Sequence, residues 1–327
     1  VVNETVNVSK KIKVFPGFIN AILKSIINDI QNVKKIKPKL RDFPKWFVNE
    51  INKTKNIDSN SFIDTFDKQP SLHIVFKSEK TLNNFKEPHT KSSSRSGFIE
   101  IQKKVSNIDG FINGDWWVQD FSSFFPIYNL PTNKNYEKVL DTCAAPGGKA
   151  FQILSKKINI TLNDISKKRI KILKSNLRRL NFEANILNED FTKFNLKEKF
   201  DCIIIDAPCS SIGTIRKNPE IFFKKEPPKF NELIKIQEKL LDKASQLLNK
   251  NGLILYMVCS FLKKETESQI TNFLKMKKDF KLYNFELVEQ NINYEKLIKN
   301  SFMITLPDNI FSNNIDGYFA AYLEKIR

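Results

Sequence analysis

The sequence predicts an α/β fold built on a doubly wound parallel sheet. From Tyr136 onward, short apolar runs alternate with amphipathic stretches, the order expected of strands and helices in such a sheet. The run Phe200-Asp-Cys-Ile-Ile-Ile-Asp206 is almost continuously apolar, which suits a strand covered on both faces. Val139–Ala150 joins an apolar run to a helical pattern through the pair Gly147-Gly148, in a chain with only nine glycines.

A glycine pair at a strand-to-helix turn permits positive φ and lets a ligand approach the backbone closely. The helix that follows would aim its N-terminal amides at that ligand. The turn is not a phosphate-cradling P-loop, because Cys143 stands where the first glycine is needed and Ala150 stands where a Ser or Thr must follow the lysine.

In chain order, residues 1–54 read as a helical region. Phe18, Ile19, Ile22, Leu23, Ile26 and Ile27 recur at helical spacing, and a shorter helix behind Pro44 carries Trp46, Phe47 and Ile51. Residues 55–115 read as a small α/β linker segment: a strand over Ser71–Lys77, a polar loop over Lys91–Gly97 and a strand over Phe98–Ile101. His73 lies within a strand and reads as packed or exposed rather than catalytic. Trp116 and Trp117 fit either base stacking or a core at the domain junction. Residues 116–327 form the expected catalytic domain. Its strands are Val139–Asp141, Ile158–Asn163, Asn185–Asn188, Phe200–Asp206 and Leu253–Val258. Its helices are Lys167–Leu180, Phe230–Leu248 and Lys264–Leu274, and further strands lie around Lys281–Val288 and Tyr318–Leu323.

The 327 residues allow one large domain or a few smaller ones, and a hydrophobic fraction of 41% is enough for real cores. No apolar run approaches the roughly 18 residues of a membrane span, and no secretory pattern opens the chain. The chain starts at Val1 without a methionine, so its natural N-terminus is expected further upstream. A net charge of +18 points to a polyanionic partner. A Lys-, Asn- and Ile-rich composition with only seven Arg among 54 basic residues is also what an AT-rich coding sequence produces. Four cysteines without a CxxC pair argue against a zinc site or a disulfide framework, so no metal is expected. Reduced thiols fit the cytoplasm. With only His73 and His89 present, His-centred catalysis is not expected.

In an open α/β sheet, ligands bind outside the carboxyl ends of the strands. Asp164, Asp190 and Asp206 each end a strand on the rim that carries the glycine turn. An acid about 20 residues past such a turn is placed to grip a ribose diol, although capping of the next helix explains a single acid equally well. Cys209 and Cys259 follow the fourth and fifth strands on the same rim, whereas Cys202 sits inside a strand as a small hydrophobe. Two thiols and an acid beside a nucleoside cofactor suggest covalent catalysis, as required to methylate carbon 5 of a pyrimidine. A thiolate adds to carbon 6, carbon 5 becomes enamine-like and accepts a methyl group, a base then removes the carbon 5 proton and the thiol leaves. Asp206 near ring N3 would stabilise the adduct, and a helix N-terminus or a nearby Lys would lower the thiol pKa. These residues alone do not rank the two thiols.

Asp141-Thr-Cys-Ala-Ala-Pro-Gly-Gly-Lys149, Asp206-Ala-Pro-Cys-Ser210 and Val258-Cys-Ser260 resemble, in order and spacing, the RNA cytosine-5 methyltransferases of the RsmB/Sun family. Ile215–Glu220, Ile236–Glu238 and Asp316–Ala320 resemble the branch acting on small-subunit rRNA. Phe15–Leu23 is similar to the end of that branch's NusB-like helical domain, and Phe43–Trp46 and Gln69–Leu72 to its linker. The resemblance implies a Rossmann-like S-adenosylmethionine-dependent methyltransferase sheet, a small α/β linker domain and a remnant of an RNA-binding helical domain. It implies that Cys143, Ala144, Ala145, Pro146, Gly147, Gly148 and Lys149 bind S-adenosylmethionine, with Asp164 at the ribose, Asp190 by the adenine and Asp206 near the methionine end and the target base. Cys259 would be the nucleophile and Cys209 would assist product release, with Asp206 and Lys149 completing the catalytic set. The enzyme would act as a cytoplasmic monomer on small-subunit rRNA, making 5-methylcytosine. Departures from the pattern are Val258 for Thr, Phe124 for Gln, Asn218 for His and Asp308 for His. The rival readings are a methyltransferase acting on another RNA, on DNA cytosine or on protein, and a non-catalytic RNA-binding module.

Overall fold

The structure is a computed structural model that describes residues 2–36, 38–54, 71–100, 103–195, 197–224, 226–290, 292–307 and 315–327. Residues 55–70, which open the expected linker and include Gln69, lie outside this set, as does Asp308. The chain divides into two compact units, Val1–Asp42 and Phe43–Arg327. The first is helical, with α1 (Val2–Lys11), α2 (Pro16–Asn28) and α3 (Ile30–Val33). Proline opens α2, where its missing N–H costs nothing.

The second unit begins with α4 (Lys45–Lys53). Phe47 and Ile51 are fully buried against Ile212, Ile215, Phe261 and Leu262. A four-stranded antiparallel sheet follows, comprising β1 (Leu72–Phe76), β2 (Thr90–Ser93), β3 (Ser96–Ile99) and β4 (Trp116–Val118) in the order β2-β3-β1-β4, with α5 (Glu79–Asn83) after β1. The expected polar loop at Lys91–Gly97 is instead the β2–β3 hairpin. Its serines are buried because they satisfy one another: Ser96 Oγ lies 2.7 Å from both Ser92 Oγ and Ser93 Oγ, and Ser92 Oγ lies 2.8 Å from His73 Nε2. His73 is buried among Phe98, Phe121 and Phe124 and lies within the core. Trp116 and Trp117 are buried as well, their ring N–H groups donating to Asp109 O (2.7 Å) and Gln119 Oε1 (2.9 Å). They form core and present no face to a base.

The large sheet has nine strands. Five are parallel: β5 (Val139–Asp141), β6 (Ile160–Asn163), β7 (Asn185–Leu187), β8 (Phe200–Asp206) and β9 (Leu248–Val258). They are interleaved with α7 (Gly148–Ser155), α8 (Lys167–Arg179) and α9 (Phe230–Leu247), while α6 (Phe121–Tyr128) precedes β5. The sheet then departs from an all-parallel plan. After α10 (Glu267–Met276) come β10 (Phe280–Tyr283), α11 (Ile292–Glu295), β11 (Ile298–Lys299), β12 (Phe302–Thr305) and β13 (Tyr318–Lys325). Strand β13 runs antiparallel to β9, and β10 and β12 run antiparallel to β13. The full order is β11-β12-β13-β9-β8-β5-β6-β7, with β10 attached to β13. Strands β11 and β12 were not expected from the sequence.

Cys202 and Ile203–Ile205 in β8 are completely buried, so the sheet is covered on both sides. One core contains α6, α7 and α8 side chains such as Phe125, Phe151 and Leu173, together with Val75 and Trp117 of the small sheet. The other contains α9 and α10 side chains such as Leu241 and Phe273. The parallel strands β8 and β9 are neighbours, pairing Asp206 with Met257, so the segments after them emerge side by side.

Candidate active site

The turn after β5 is shaped by Gly147, whose φ of +119° lies in the left-handed region. A Cβ there would fall 2.1 Å from the Phe151 ring, so only glycine fits. Helix α7 starts at the next residue and opens toward the carboxyl rim. The turn is sewn to its neighbours: Ala144 N donates to Asn163 O (2.8 Å) and Thr142 N to Ile204 O (3.0 Å). Asn163 Nδ2 donates to Thr142 O and Glu189 O, both at 3.1 Å, linking three strand ends. Burial pushes the Cys143 thiol up to about 12, leaving it a neutral packing group. Burial also raises the Asp141 carboxyl to about 7, with the Lys149 charge opposing.

The three rim acids prove to have different surroundings. Asp164 is almost fully buried; its Oδ2 accepts from Ala145 N (3.2 Å) and lies 3.3 Å from Arg169 Nη1, while its Oδ1 accepts from Ser166 N (2.9 Å). It thus ties the second parallel strand to the glycine turn. Asp190 caps a short helical turn, accepting from Thr192 N (3.1 Å) and Thr192 Oγ1 (2.7 Å), and these bonds lower its pKa. Asp206, at the tip of β8, is held on both oxygens: Lys149 Nζ donates to Oδ2 at 2.6 Å and Tyr318 Oη to Oδ1 at 2.8 Å. Burial works against the Lys149 charge, but Asp206 outweighs it and holds the ammonium above its usual range. The Tyr318 hydroxyl is pushed up by burial and by Asp206, so it remains a proton donor.

The structure brings the two thiols together. Cys209 Sγ and Cys259 Sγ lie 3.3 Å apart, and Ser211 Oγ lies 3.5 Å from Cys259 Sγ. The pair is asymmetric. A hydrogen bond from Cys209 lowers the Cys259 thiol, burial and Asp206 oppose this, and Ser211 and Lys149 assist. Cys209 moves up, through its contact with Cys259 and through burial.

The loop carrying Cys209 is locked in two ways. Gly213 N donates to Cys259 O (3.0 Å) and Gly317 N to Gly213 O (2.8 Å), and a Cβ on Gly213 would fall 1.8 Å from Gly317 O. Beyond it, Arg216 is buried between Asp120 (2.9 Å) and Asp316 (3.0 Å), with Lys217 pairing to the same two acids. Tyr318 and this ion cluster were missed as site residues; their only sequence trace is the Ile215–Glu220 and Asp316–Ala320 motifs. Of the departures from the family pattern, Val258 and Phe124 are buried, and Asn218 Nδ2 donates to Thr214 Oγ1 at 2.9 Å. Among the described residues no cluster of three or more His, Cys, Asp or Glu is placed to hold a metal ion, and no helix is long and apolar enough to cross a membrane.

Residues 129–324 match the family described as 16S rRNA methyltransferase RsmB/F. The chain belongs to the RsmB/F family. It is an S-adenosylmethionine-dependent RNA methyltransferase with a Rossmann-like sheet. Among its RsmB/F relatives, the ribosomal RNA small subunit methyltransferase B of Photorhabdus laumondii is 31% identical over 343 residues, an alignment spanning 98% of this chain and 76% of the relative. The protein of the same description from Pasteurella multocida is 28% identical, over 99% and 75%. In fold, the chain is similar to the solved structure of PH0851, with a TM-score of 0.78 at 24% identity over 97% of this chain and 75% of that one. It is also similar to NSun6 from Pyrococcus horikoshii, solved with SFG, with a TM-score of 0.72 at 16% identity over 88% and 100%.

Proposed function

We propose that this enzyme methylates carbon 5 of a cytosine in small-subunit rRNA, with Cys259 as the attacking thiol. The observation that carries the reading is the asymmetric thiol pair, 3.3 Å apart, beside an Asp206 carboxylate held by Lys149 and Tyr318. The names of the relatives supply the rRNA substrate.

The donor set on the rim fits S-adenosylmethionine. The glycine turn Cys143–Lys149 offers backbone groups at a helix N-terminus. Asp164 and Asp190 offer carboxylate lone pairs on the adjacent strand ends for hydroxyl and amino groups. When bound, the cofactor supplies an electrophilic methyl group.

The chain's own residues prepare the base. Cys209 donates its S–H to Cys259, favouring the Cys259 thiolate, which adds to carbon 6 and makes carbon 5 nucleophilic. The Lys149 ammonium and Tyr318 hydroxyl fix the Asp206 carboxylate, which faces the ring N3 side and favours its protonated form in the adduct. Once carbon 5 carries the methyl group, a solvent base takes the carbon 5 proton, the ring double bond re-forms and the Cys259 thiolate is expelled. Cys209 keeps its S–H against that sulfur and stabilises it as it leaves, so the pair returns to its starting state. The target base must be unpaired or flipped to reach Cys259.

The test uses unmodified small-subunit rRNA, tritiated S-adenosylmethionine, and the wild type beside Cys259→Ala and Cys209→Ala. Cys259→Ala should form no 5-methylcytosine, and Cys209→Ala should accumulate a protein–RNA adduct that survives denaturing gels. Substantial activity in Cys259→Ala would overturn the assignment.

A further inference from the structure

Behind the two thiols lies a carboxylate that the chemistry above does not use. Glu265 precedes α10 and is completely buried. Its Oε1 accepts from Ser210 N (2.8 Å) and Gln237 Nε2 (3.4 Å), and its Oε2 accepts from Ser210 Oγ (2.5 Å) and Ser260 Oγ (2.7 Å). Ser210 follows Cys209 in the chain and Ser260 follows Cys259. One side chain therefore bonds to the residue after each thiol. The grip extends further: Gln237 Nε2 also donates to Pro208 O, just ahead of Cys209, at 2.9 Å, and Tyr256 Oη donates to Glu265 O at 2.8 Å.

Four donors converge on two oxygens, which is the demand of an ionised, acceptor-only carboxylate. Among the described residues no Lys or Arg is ion-paired with Glu265. A buried charge without a counter-ion is costly, and hydrogen bonds alone hold it here. Two chemically identical thiols in contact are distinguished only by their surroundings. On the Cys259 side stand the Lys149 ammonium, which favours a thiolate, and Asp206, which opposes it. The Glu265 charge acts on the Cys209 side, together with burial and Cys259 itself, and disfavours a thiolate there.

We infer that Glu265 is a positioning residue for the thiol pair. Its carboxylate fixes Ser210 and Ser260, and through them the Cys209–Cys259 contact, while its charge keeps the shared proton on Cys209. Cys259 is thereby left as the thiolate. This rests on the reading of Cys259 as the attacking thiol. It adds that the choice between two chemically identical groups is made by a carboxylate that touches neither substrate nor cofactor.

The experiment alkylates the full chain with limiting iodoacetamide at neutral pH and measures modification of Cys209 and Cys259 by mass spectrometry. Wild type, Glu265→Gln and Ser260→Ala are compared, each with its S-adenosylhomocysteine affinity and Tm. Wild type should be modified at Cys259 in preference to Cys209. Glu265→Gln should reduce that preference by about tenfold, the change that goes with one pK unit, while still binding S-adenosylhomocysteine. Ser260→Ala, which loses one tie but keeps the charge, should show a smaller fall. A Glu265→Gln protein that binds S-adenosylhomocysteine and keeps the wild-type preference overturns the inference. If Glu265→Gln fails to fold, Ser260→Ala decides alone, a reduced preference supporting the inference and an unchanged one overturning it. A wild type that prefers Cys209 would instead remove the nucleophile assignment itself.

Discussion

Tyr318 Oη donates to Asp206 Oδ1 at 2.8 Å, from the first residue of β13 to the last residue of β8. The two strands are separated in the sheet by β9, which carries Cys259 at its end. The antiparallel strand thus reaches across the strand that leads to Cys259 to hold the acid beside it. A hydrogen bond to a charged group contributes about 1.5–3 kcal/mol. Tyr318→Phe should therefore lower stability by about that amount and slow single-turnover methyl transfer by at least about tenfold. An unchanged rate would leave Tyr318 as packing alone.

Lys149 holds the other oxygen of Asp206 and follows the Gly147-Gly148 turn. Lys149→Ala should lower both S-adenosylhomocysteine affinity and methyl transfer, each by roughly tenfold or more, because a largely buried charge loses its partner. Calorimetric titration and single-turnover rates check the two effects separately. Normal binding with normal turnover would exclude Lys149 from the site.

Arg216 joins Asp120 and Asp316 in a buried cluster. Removing one partner of such a cluster leaves uncompensated charge and typically costs about 3–5 kcal/mol. Arg216→Ala should therefore shift the urea midpoint strongly, and adding Asp316→Asn should recover part of the loss. A double variant no more stable than the single one would show that charge compensation is not the cause.

Burial lowers His73 to about 4. Folding therefore favours the neutral ring, and the unfolded chain binds the extra proton between about pH 6.5 and 4. The His73 contribution is complete above about pH 6.5 and is lost as pH falls toward 4, amounting to about 3 kcal/mol. Urea denaturation of wild type and His73→Gln at a series of pH values measures this. The variant should show a shallower loss of stability on acidification, and identical slopes would rule His73 out as a source of acid sensitivity.

The parallel half of the sheet was legible because its signals are local. An apolar run such as Ile203–Ile205 reports burial on both faces, and Gly147-Gly148 reports a turn that only glycine can make. The β2–β3 hairpin was not legible, because its buried positions are serines whose hydroxyls are satisfied by one another and by His73. Strands β11 and β12 were not legible because they are short, two and four residues, and β12 meets β13 only across a long connection.

The sequence by itself determined the order of the parallel strands and their helices, the glycine turn and the candidate acids and thiols, because each depends on residues adjacent in the chain. Which side chains share a proton or a hydrogen bond was decided only by the tertiary structure. Cys209 and Cys259 are fifty positions apart and Tyr318 is more than a hundred from Asp206. Their meeting depends on strand order and on the close Gly213–Gly317 contact. Local pattern does not encode such distances, so the contact between the two thiols became visible only in the fold.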